Sequence, residues 1–569
     1  MLIGIDLGTT NSLVACFRNG RAELIPNRLG SVLTPSVVSI DESGKLYVGE
    51  AARERALLHP LESAAVFKRS MGTDRDFRLG SRHFRAEELS SLILKSLKED
   101  AEAFLGEPVN DAIISVPAYF NDLQRKATKL AGELAGLNVV RIINEPTAAA
   151  IAHGMAEQDD ARYLVFDLGG GTFDVSILEH YSPIMEVHAI AGDNFLGGED
   201  FTKVLCDLFY AHAGVSPETL DEKTRAEVRK NAERCKCAFS DTAALIMICN
   251  LGDKPHAMPL TLQQYEQACG YLLDRLRKPV ERSLRDAKVS LDEIDRVVLV
   301  GGATRSPVIR RFVERLFGQK PSVRIDPDVA VALGAALQCA MKERDREIQE
   351  IVLTDVCPFT LGTEVVADNG MFEESGHYLP IIERNTVIPV SRTQTVCTAH
   401  ENQTKVCVKI LQGESRMAGN NLLLGELTVS VPAGPKGKEA VDITYTYDVN
   451  SLLEVEVHVR STGLRRRIII QNSKNRMTDQ EAEARMAQLA YLKRDPREEE
   501  PNRLLLLRGE RMYEEATADA RMAIDRAVLD FERVMSRKDP AEIERARKRL
   551  EKFLDEMEYG IQPGQEDEE

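Results

Sequence analysis

Tyr163–Asp174, YLVFDLGGGTFD, reads as a buried strand running directly into an acidic, glycine-rich turn. Leu164, Val165 and Phe166 make the short apolar run of a strand covered on both faces, and Asp167 stands at its end, where α/β sheets collect their ligands. Gly169, Gly170 and Gly171 carry no Cβ, so their N–H groups can approach a polyphosphate that side chains would hold off, and Thr172 adds a hydroxyl. Glycine-rich turns after strands are common, so this stretch alone leaves an ordinary connection open.

The chain opens with a second copy of the pattern, LIGIDLGTTNS, in which Ile3 to Ile5 lead into Asp6, Gly8, Thr9, Thr10 and Asn11. Two such turns, with Asp6 and Asp167 in equivalent places, predict a duplicated domain whose halves face each other across one nucleotide. Carboxylates at both strand ends suit a hydrated Mg²⁺, a hard ion that takes oxygen ligands and keeps most of its waters.

Working outward, 569 residues at 43% hydrophobic composition exceed one core and predict two to four domains. A formal charge of −17 argues against a nucleic-acid partner, since no basic patch is long enough to outweigh it. No run of eighteen apolar residues appears and no leader precedes the first strand, so the expectation is a cytoplasmic protein with no membrane span. The ten cysteines include no Cys-x-x-Cys pair; Cys235 and Cys237 are the closest, and buried or incidental thiols fit better than zinc.

From Met1 to about Arg344 strand and helix patterns alternate, which predicts α/β layers. Asp111 to Val116 is an apolar strand stopped by Pro117, and Leu123, Ala127, Leu130, Ala131, Leu134 and Leu137 then recur at helical spacing. Val139 to Ile143 is a further strand. It delivers Glu145 to the sheet edge that carries the two turns, where a carboxylate can act as general base or join a metal shell. Glu233, Lys236 and Ser240 fall at spacings of three and four and read as one helix face that could bracket a base and ribose; a solvated face is the alternative. Arg296 to Gly302, RVVLVGG, is again a strand opening into glycines, before a helix from Pro307 whose N-terminal amides suit an anion.

IDLGTTNS, INEPTAAA, FDLGGGTFDVS, GDNFLGGEDF and LVGGATRSP stand in the order found in the DnaK-type, 70-kilodalton heat-shock chaperone family, with VFKR among them and IERNTVIPVSRTQ after. The chain resembles that family over nearly all its length, and most closely its smaller bacterial HscC-type branch. The resemblance implies an actin-like, duplicated ribonuclease-H-like ATPase domain (1–344), a linker (345–355), a β-sandwich peptide-binding domain (356–472) and a short helical lid with an acidic tail (473–569). It implies ATP and Mg²⁺ as cofactors, with K⁺ a further candidate ion.

By the same resemblance Lys68 is the catalytic lysine. Asp6, Glu145, Asp167, Thr172 and Asp174 position Mg²⁺ and the attacking water, with Asp6 and Asp167 holding the metal mostly through water. Thr9, Thr10 and Gly169 to Thr172 take the phosphates, with Gly8, Asn11, Gly197, Gly198 and Gly301 alongside. Glu233, Lys236, Ser240, Gly302, Arg305 and Asp328 contact adenosine. Val366, Val396, Val406 and Val408 are the expected peptide pocket, with ordinary core as the alternative. Coupling between the halves falls to Pro117, Arg125, Arg141, Ile351, Val352, Leu353 and Asp355, of which Arg141 and Asp355 match contacts to a J-domain co-chaperone. Clients are unfolded or extended polypeptides; a nucleotide exchange factor is left open.

Thr354 departs from the family by interrupting an apolar linker, and the acidic stretch GTEVVADNGMFEESGHYLPIIERN is longer than expected. Val441, Ile443, Tyr445, Tyr447 and Val449, then Leu453, Val455, Val457 and Val459, predict one face of a hairpin turning near Asn450. Thr478 and Glu481, and later Asp539, Pro540 and Glu542, read as helix starts. Ala516, Ala520, Ala523, Ala527, Phe531 and Val534 read as one helix stripe. A small-molecule kinase or an actin-like filament subunit would share the paired turns, but neither needs the linker and the β half.

Overall fold

Residues 1–156, 160–181, 184–252, 254–322, 324–343, 352–368, 373–447, 453–470, 500–516, 518–536 and 540–559 are described by a computed structural model. The N-terminal apolar run forms β1 (Leu2–Asp6), which is followed by β2 (Asn11–Arg18) and β3 (Arg21–Ile25). After helix α1 (Glu50–Leu58) come β4 (Asp111–Val116), helix α2 (Asp122–Leu134), β5 (Asn138–Asn144) and helix α3 (Glu145–Ala156). Asn121 caps α2 by accepting from Gln124 N, and α2 buries its Ala127, Ala131 and Leu134 face. The sheet order is β5-β4-β1-β2-β3, with β1 parallel to β4 and antiparallel to β2.

The second sheet repeats this plan. Strand β6 (Ala161–Leu168) pairs antiparallel with β7 (Phe173–Tyr181) and parallel with β9 (Arg296–Val300), while β8 (Ile184–Asp193) continues beyond β7. Asp6 and Asp167 occupy corresponding places on β1 and β6, the strands flanked alike in each half. Helices α4 (Gly198–Ala213), α5 (Glu222–Ala238) and α6 (Gly270–Ala287) lie between β8 and β9 in the chain, and α7 (Pro307–Phe317) and α8 (Ala330–Glu343) follow. Helix α8 packs so closely between the halves that a Cβ on Gly4 would stand 2.5 Å from its backbone.

The described end of the expected linker is a strand. Strand β10 (Val352–Val356) pairs parallel with β8, Met185 opposite Leu353 and Glu186 opposite Thr354, and its end pairs antiparallel with Val387–Ile388. It thus joins the second sheet to the β half by backbone hydrogen bonds. Ile351 lies outside the described residues, as do Asn450, Val449, Thr478, Glu481 and Asp539.

Beyond it, β11 (Leu361–Asp368), β12 (Glu373–Ile382), β13 (Val390–Cys397), β14 (Lys405–Gln412), β15 (Leu422–Ser430), β16 (Ala440–Tyr447), β17 (Leu453–Val459) and β18 (Arg465–Ile469) form two four-stranded sheets, ordered β12-β11-β14-β15 and β13-β16-β17-β18. The expected alternation holds: Val441, Ile443, Tyr445 and Tyr447 face Leu453, Val455, Val457 and Val459 across the β16–β17 pairing, all within the core shared by both sheets. The long acidic stretch is a hairpin of β11 and β12, whose residues 369–372 lie outside the described set.

Helices α9 (Glu500–Glu515), α10 (Ala518–Ser536) and α11 (Pro540–Tyr559) make the tail, Pro540 standing at the start of α11 as its ring favours. The stripe expected from Ala516 to Val534 holds in part: Phe531 is buried in the core of the tail helices, and Ala516, Ala527 and Val534 pack against it. Ala516 falls in the break between α9 and α10, Ala523 is exposed, and Ile524, Phe531 and Met535 are the buried residues of α10. Among the described residues no helix is long and apolar enough to cross a membrane.

Helix α9 rests on α1, where Leu507 joins a cluster with Val37, Tyr47, Ala51 and Ala52. The buried Arg511 donates from Nε to Glu54 Oε2 at 2.8 Å and from Nη2 to Glu558 Oε1 at 2.8 Å. The β half is tied to the α/β half by Arg384, whose Nε and Nη2 donate to both oxygens of Asp286 on α6 at 2.8 and 2.9 Å, a bidentate pair. Asp122 N donates to Gln412 Oε1 (3.2 Å), and the rings of Tyr119 and Phe359 lie 4.5 Å apart.

Candidate functional site

The turns that follow β1 and β6 meet edge to edge. A Cβ on Gly170 would stand 1.9 Å from Thr10 Oγ1, so only glycine permits the approach. Behind the second turn, Gly198 N donates to Gly169 O and Glu199 N to Gly170 O, both at 2.9 Å, which seats the start of α4 on the turn. Gly301, at φ +80°, lies against Leu168 O, where any Cβ would come within 2.4 Å. These contacts frame a cavity of about 290 Å³.

Its inner end is carboxylate-rich. Asp6 Oδ1 accepts from Ser115 Oγ at 2.8 Å, and Glu145 Oε1 meets Lys68 Nζ at 2.6 Å, a pair with the lysine only 3% exposed. Asp167 is 5% exposed, and its Oδ2 has no hydrogen-bond partner among the described residues. Asp174 stands one layer back, accepting from Tyr119 N at 3.0 Å. Burial, reinforced by the Glu145 charge, pushes Asp6 up to about 7 and Asp174 up to about 8, and holds Asp167 well above the usual carboxylate range. Lys68 is one positive charge beside four carboxyl groups, so the donor set calls for a further cation. Among the described residues no three such side chains converge closely enough to ligate one ion directly. The orphaned Asp167 oxygen, the all-oxygen donors and the glycine cradle fit Mg²⁺ with a polyphosphate.

The outer end lies between α5 and the turn after β9. Lys236 Nζ donates to Gly198 O (3.1 Å) and Thr202 Oγ1 (2.9 Å) and pairs with Glu233 Oε2 (2.7 Å). Opposite, Arg305 Nε donates to Asp328 Oδ2 at 2.7 Å and its Nη2 to Asp326.

The structure brings together on this cavity Asp6, Gly8, Thr9, Thr10, Asn11 and Lys68, then Glu145, Asp167, Gly169, Gly170, Thr172 and Gly198. Glu233, Lys236, Gly301, Gly302, Arg305 and Asp328 complete the expected set. Gly171 and Gly197 pack behind the lining, a Cβ on Gly197 standing 2.5 Å from Gly171 N. Ser240 lies two residues past the end of α5, an exposed turn residue outside the cavity lining. Phe239, the C-cap of α5, keeps helical backbone angles and is buried, its ring stacked on that of Tyr265 with centroids 5.5 Å apart. Cys237, four residues after Glu233, lines the cavity and was missed, although the i,i+4 spacing pointed to it.

The coupling candidates converge as well. Arg125, just beyond the Pro117 corner, donates from Nε to Phe120 O (3.0 Å) and from Nη2 to Ala118 O (3.0 Å) and Asn144 Oδ1 (2.6 Å). Asn144 Nδ2 in turn donates to Asp355 Oδ2 at 2.8 Å, so Asp355 of β10 is hydrogen-bonded to the residue that precedes Glu145. Burial raises Asp355 and lowers Arg141, and each charge opposes the other's shift. In the β half Val408 is 1% exposed and belongs to the sandwich core, while Val396 and Val406 are half-buried against that core and Val366 is half-buried on β11. Val408 is therefore corrected from pocket lining to core. All ten cysteines are free thiols.

A family model described as Hsp70 protein matches residues 2–79 and 76–562. Chaperone protein DnaK of Thermotoga neapolitana is 41% identical over 485 residues, 82% of this chain and 80% of that protein. The DnaK proteins of Thermotoga petrophila and Thermotoga maritima match with the same identity and coverage.

Proposed function

Because the chain belongs to the Hsp70 family and is an ATP-dependent chaperone with ATPase activity that binds unfolded proteins, we propose how its own residues divide that work. Residues 1–344 are the actin-like ATPase domain, 345–355 the linker, 356–472 the β-sandwich that takes extended apolar segments, and 473–569 the short lid. The observation that carries the site assignment is the buried Asp167 oxygen without a partner, set between two abutting glycine turns beside the Lys68–Glu145 pair.

Thr9, Thr10 and the Gly169–Thr172 turn hold the phosphates, and Asp6 and Asp167 hold Mg²⁺ through water. When bound, that ion neutralises phosphate charge as it spreads over the transferring group. Lys68 keeps a fixed ammonium in a nearly dry site, where its charge stabilises the transition state more than it would in water. Glu145 orients Lys68 and, with Thr172, aligns the attacking water; Asp174, fixed by Tyr119 N, shapes the field one layer back. Alignment and charge supply most of the rate in such phosphoryl transfer. Glu233, Lys236, Gly302, Arg305 and Asp328 hold adenosine. K⁺ is a second candidate ion.

Clients bind the β half near Val366, Val396 and Val406, and a J-domain co-chaperone reads the Arg141–Asp355 region. The cytoplasm is the proposed compartment, and the HscC-type branch the proposed relationship within the family. The test is release of a labelled apolar peptide on addition of ATP with Mg²⁺. Acceleration is expected in the wild type and its loss in Asp167→Asn; equal release by both proteins would refute the site assignment.

A further inference from the structure

The two halves that enclose the nucleotide cavity also meet beside it, where α1 and the turn Pro60–Glu62 of the first half pack against α5 of the second. Each of these helices is continuous with a cavity wall. Gly49, just before α1, lies against Thr34, a Cβ there standing 3.3 Å from Thr34 Cγ2, and the neighbouring Leu33 lines the cavity. Helix α5 runs on to Glu233 and Lys236, which line it from the other side. A parting of the halves that frees a nucleotide held between them therefore separates α1 from α5.

Helix α9 lies across this seam. Leu507 sits among Val37, Tyr47, Ala51 and Ala52 of the first half, and one turn on, the 3%-exposed Arg511 donates from Nε to Glu54 Oε2 at 2.8 Å. Three residues further, Glu514 Oε2 accepts from Lys223 Nζ of α5 at 3.1 Å. Burial and then Arg511 lower Lys230 of α5, while Glu54, Glu515 and Glu558 oppose that shift, so this lysine of the second half belongs to the same charged cluster. We propose that α9 is a strap across the seam: it holds α1 and α5 together and slows nucleotide release by opposing the parting of the halves. The proposal rests on the nucleotide reading of the cavity and gives the tail helices a part in nucleotide exchange. The two ends of the strap differ in strength. Leu507 and Arg511 are buried, whereas Lys223 and Glu514 are 52% and 47% exposed, and such a pair changes an equilibrium by no more than about fivefold. The α5 end lets go first, so it limits how firmly the strap holds.

The test is release of a fluorescent ATP from the full chain with Mg²⁺ at low ionic strength, followed by stopped-flow after a chase of unlabelled ATP. Glu514→Lys and Lys223→Glu should each speed release about two- to fivefold, because attraction across the seam becomes repulsion. Combining the two exchanges restores the opposite charges and should bring the rate back toward wild type. Salt at about 0.5 M should shrink the differences, since exposed charges are screened. Leu507→Asp puts a charge into the seat on α1 and should speed release about tenfold or more; that seat is separate from the core the tail helices share, so their own packing stays. Wild-type release rates in both single exchanges, in proteins shown by equilibrium titration to bind the fluorescent ATP, overturn the proposal. So does fast release in Leu507→Asp with both single exchanges silent, which would mean that α9 acts through the first half alone. Faster release in each single exchange without recovery in the double also overturns it, because the effect would not run through the pair. No nucleotide binding by the wild type would instead refute the nucleotide reading.

Discussion

Replacing Thr354 by valine should tighten the docking of the linker. Thr354 lies in β10 opposite Glu186 of β8, and its Oγ1 is buried with no hydrogen-bond partner among the described residues. When β10 leaves the sheet that hydroxyl returns to water, so its desolvation is a cost of the docked state alone. Valine keeps the β-branched shape and strand preference and removes only the hydroxyl. An unsatisfied buried hydroxyl costs about 1–3 kcal/mol; since Thr354 as a residue is only half-buried, the lower part of that range, about 1–2 kcal/mol, applies. That corresponds to roughly a 5- to 30-fold shift of the docking equilibrium. Hydrogen exchange of the strand 352–356 amides with ATP bound reads this directly, because exchange of a docked strand scales with its open population. Thr354→Val should slow it by that factor, while Thr354→Ser, which keeps the hydroxyl, should not. Unchanged or faster exchange in Thr354→Val, with the remaining sheet amides as in wild type, would refute the reasoning that this hydroxyl opposes docking.

Lys68→Ala should leave ATP affinity within several-fold yet slow single-turnover hydrolysis by about 10²–10³, as loss of one preorganised charge does elsewhere; an unchanged rate at saturating ATP would remove Lys68 from catalysis. A thermal melt belongs beside it, because the change leaves Glu145 buried without its partner. Val406→Phe should weaken binding of a labelled extended peptide several-fold by fluorescence anisotropy, and full affinity in the folded variant would clear Val406 of a role. Leu353→Asp places a charge in the strand that pairs with Met185 and should abolish both peptide stimulation of hydrolysis and ATP-triggered release while basal hydrolysis persists. Wild-type stimulation in that variant would mean that the halves communicate without β10.

The two glycine turns, the acids at their strand ends and the alternation of Val441 to Tyr447 were legible because each is a local pattern. A missing Cβ, a strand end and a period of two are properties of a few consecutive residues. The outer wall of the cavity was legible only in part: Glu233 and Lys236 followed from helical spacing, whereas Arg305 and Asp328 reach it from segments far along the chain. The stripe in the tail helices was legible at Ala527, Phe531 and Val534 and missed Ile524 and Met535, the other buried residues of α10. Burial separated Val408 from Val396 and Val406, valines that read identically in sequence. By itself, then, the sequence determined the strands, the phosphate turns and the acids that accompany them. Only the tertiary structure decided that residues 352–356 add a strand to the second sheet, that Asp355 is hydrogen-bonded to Asn144 beside the cavity-lining Glu145, and that Cys237 completes the cavity wall. Those depend on hydrogen bonds and packing between segments far apart in the chain, which no local spacing encodes.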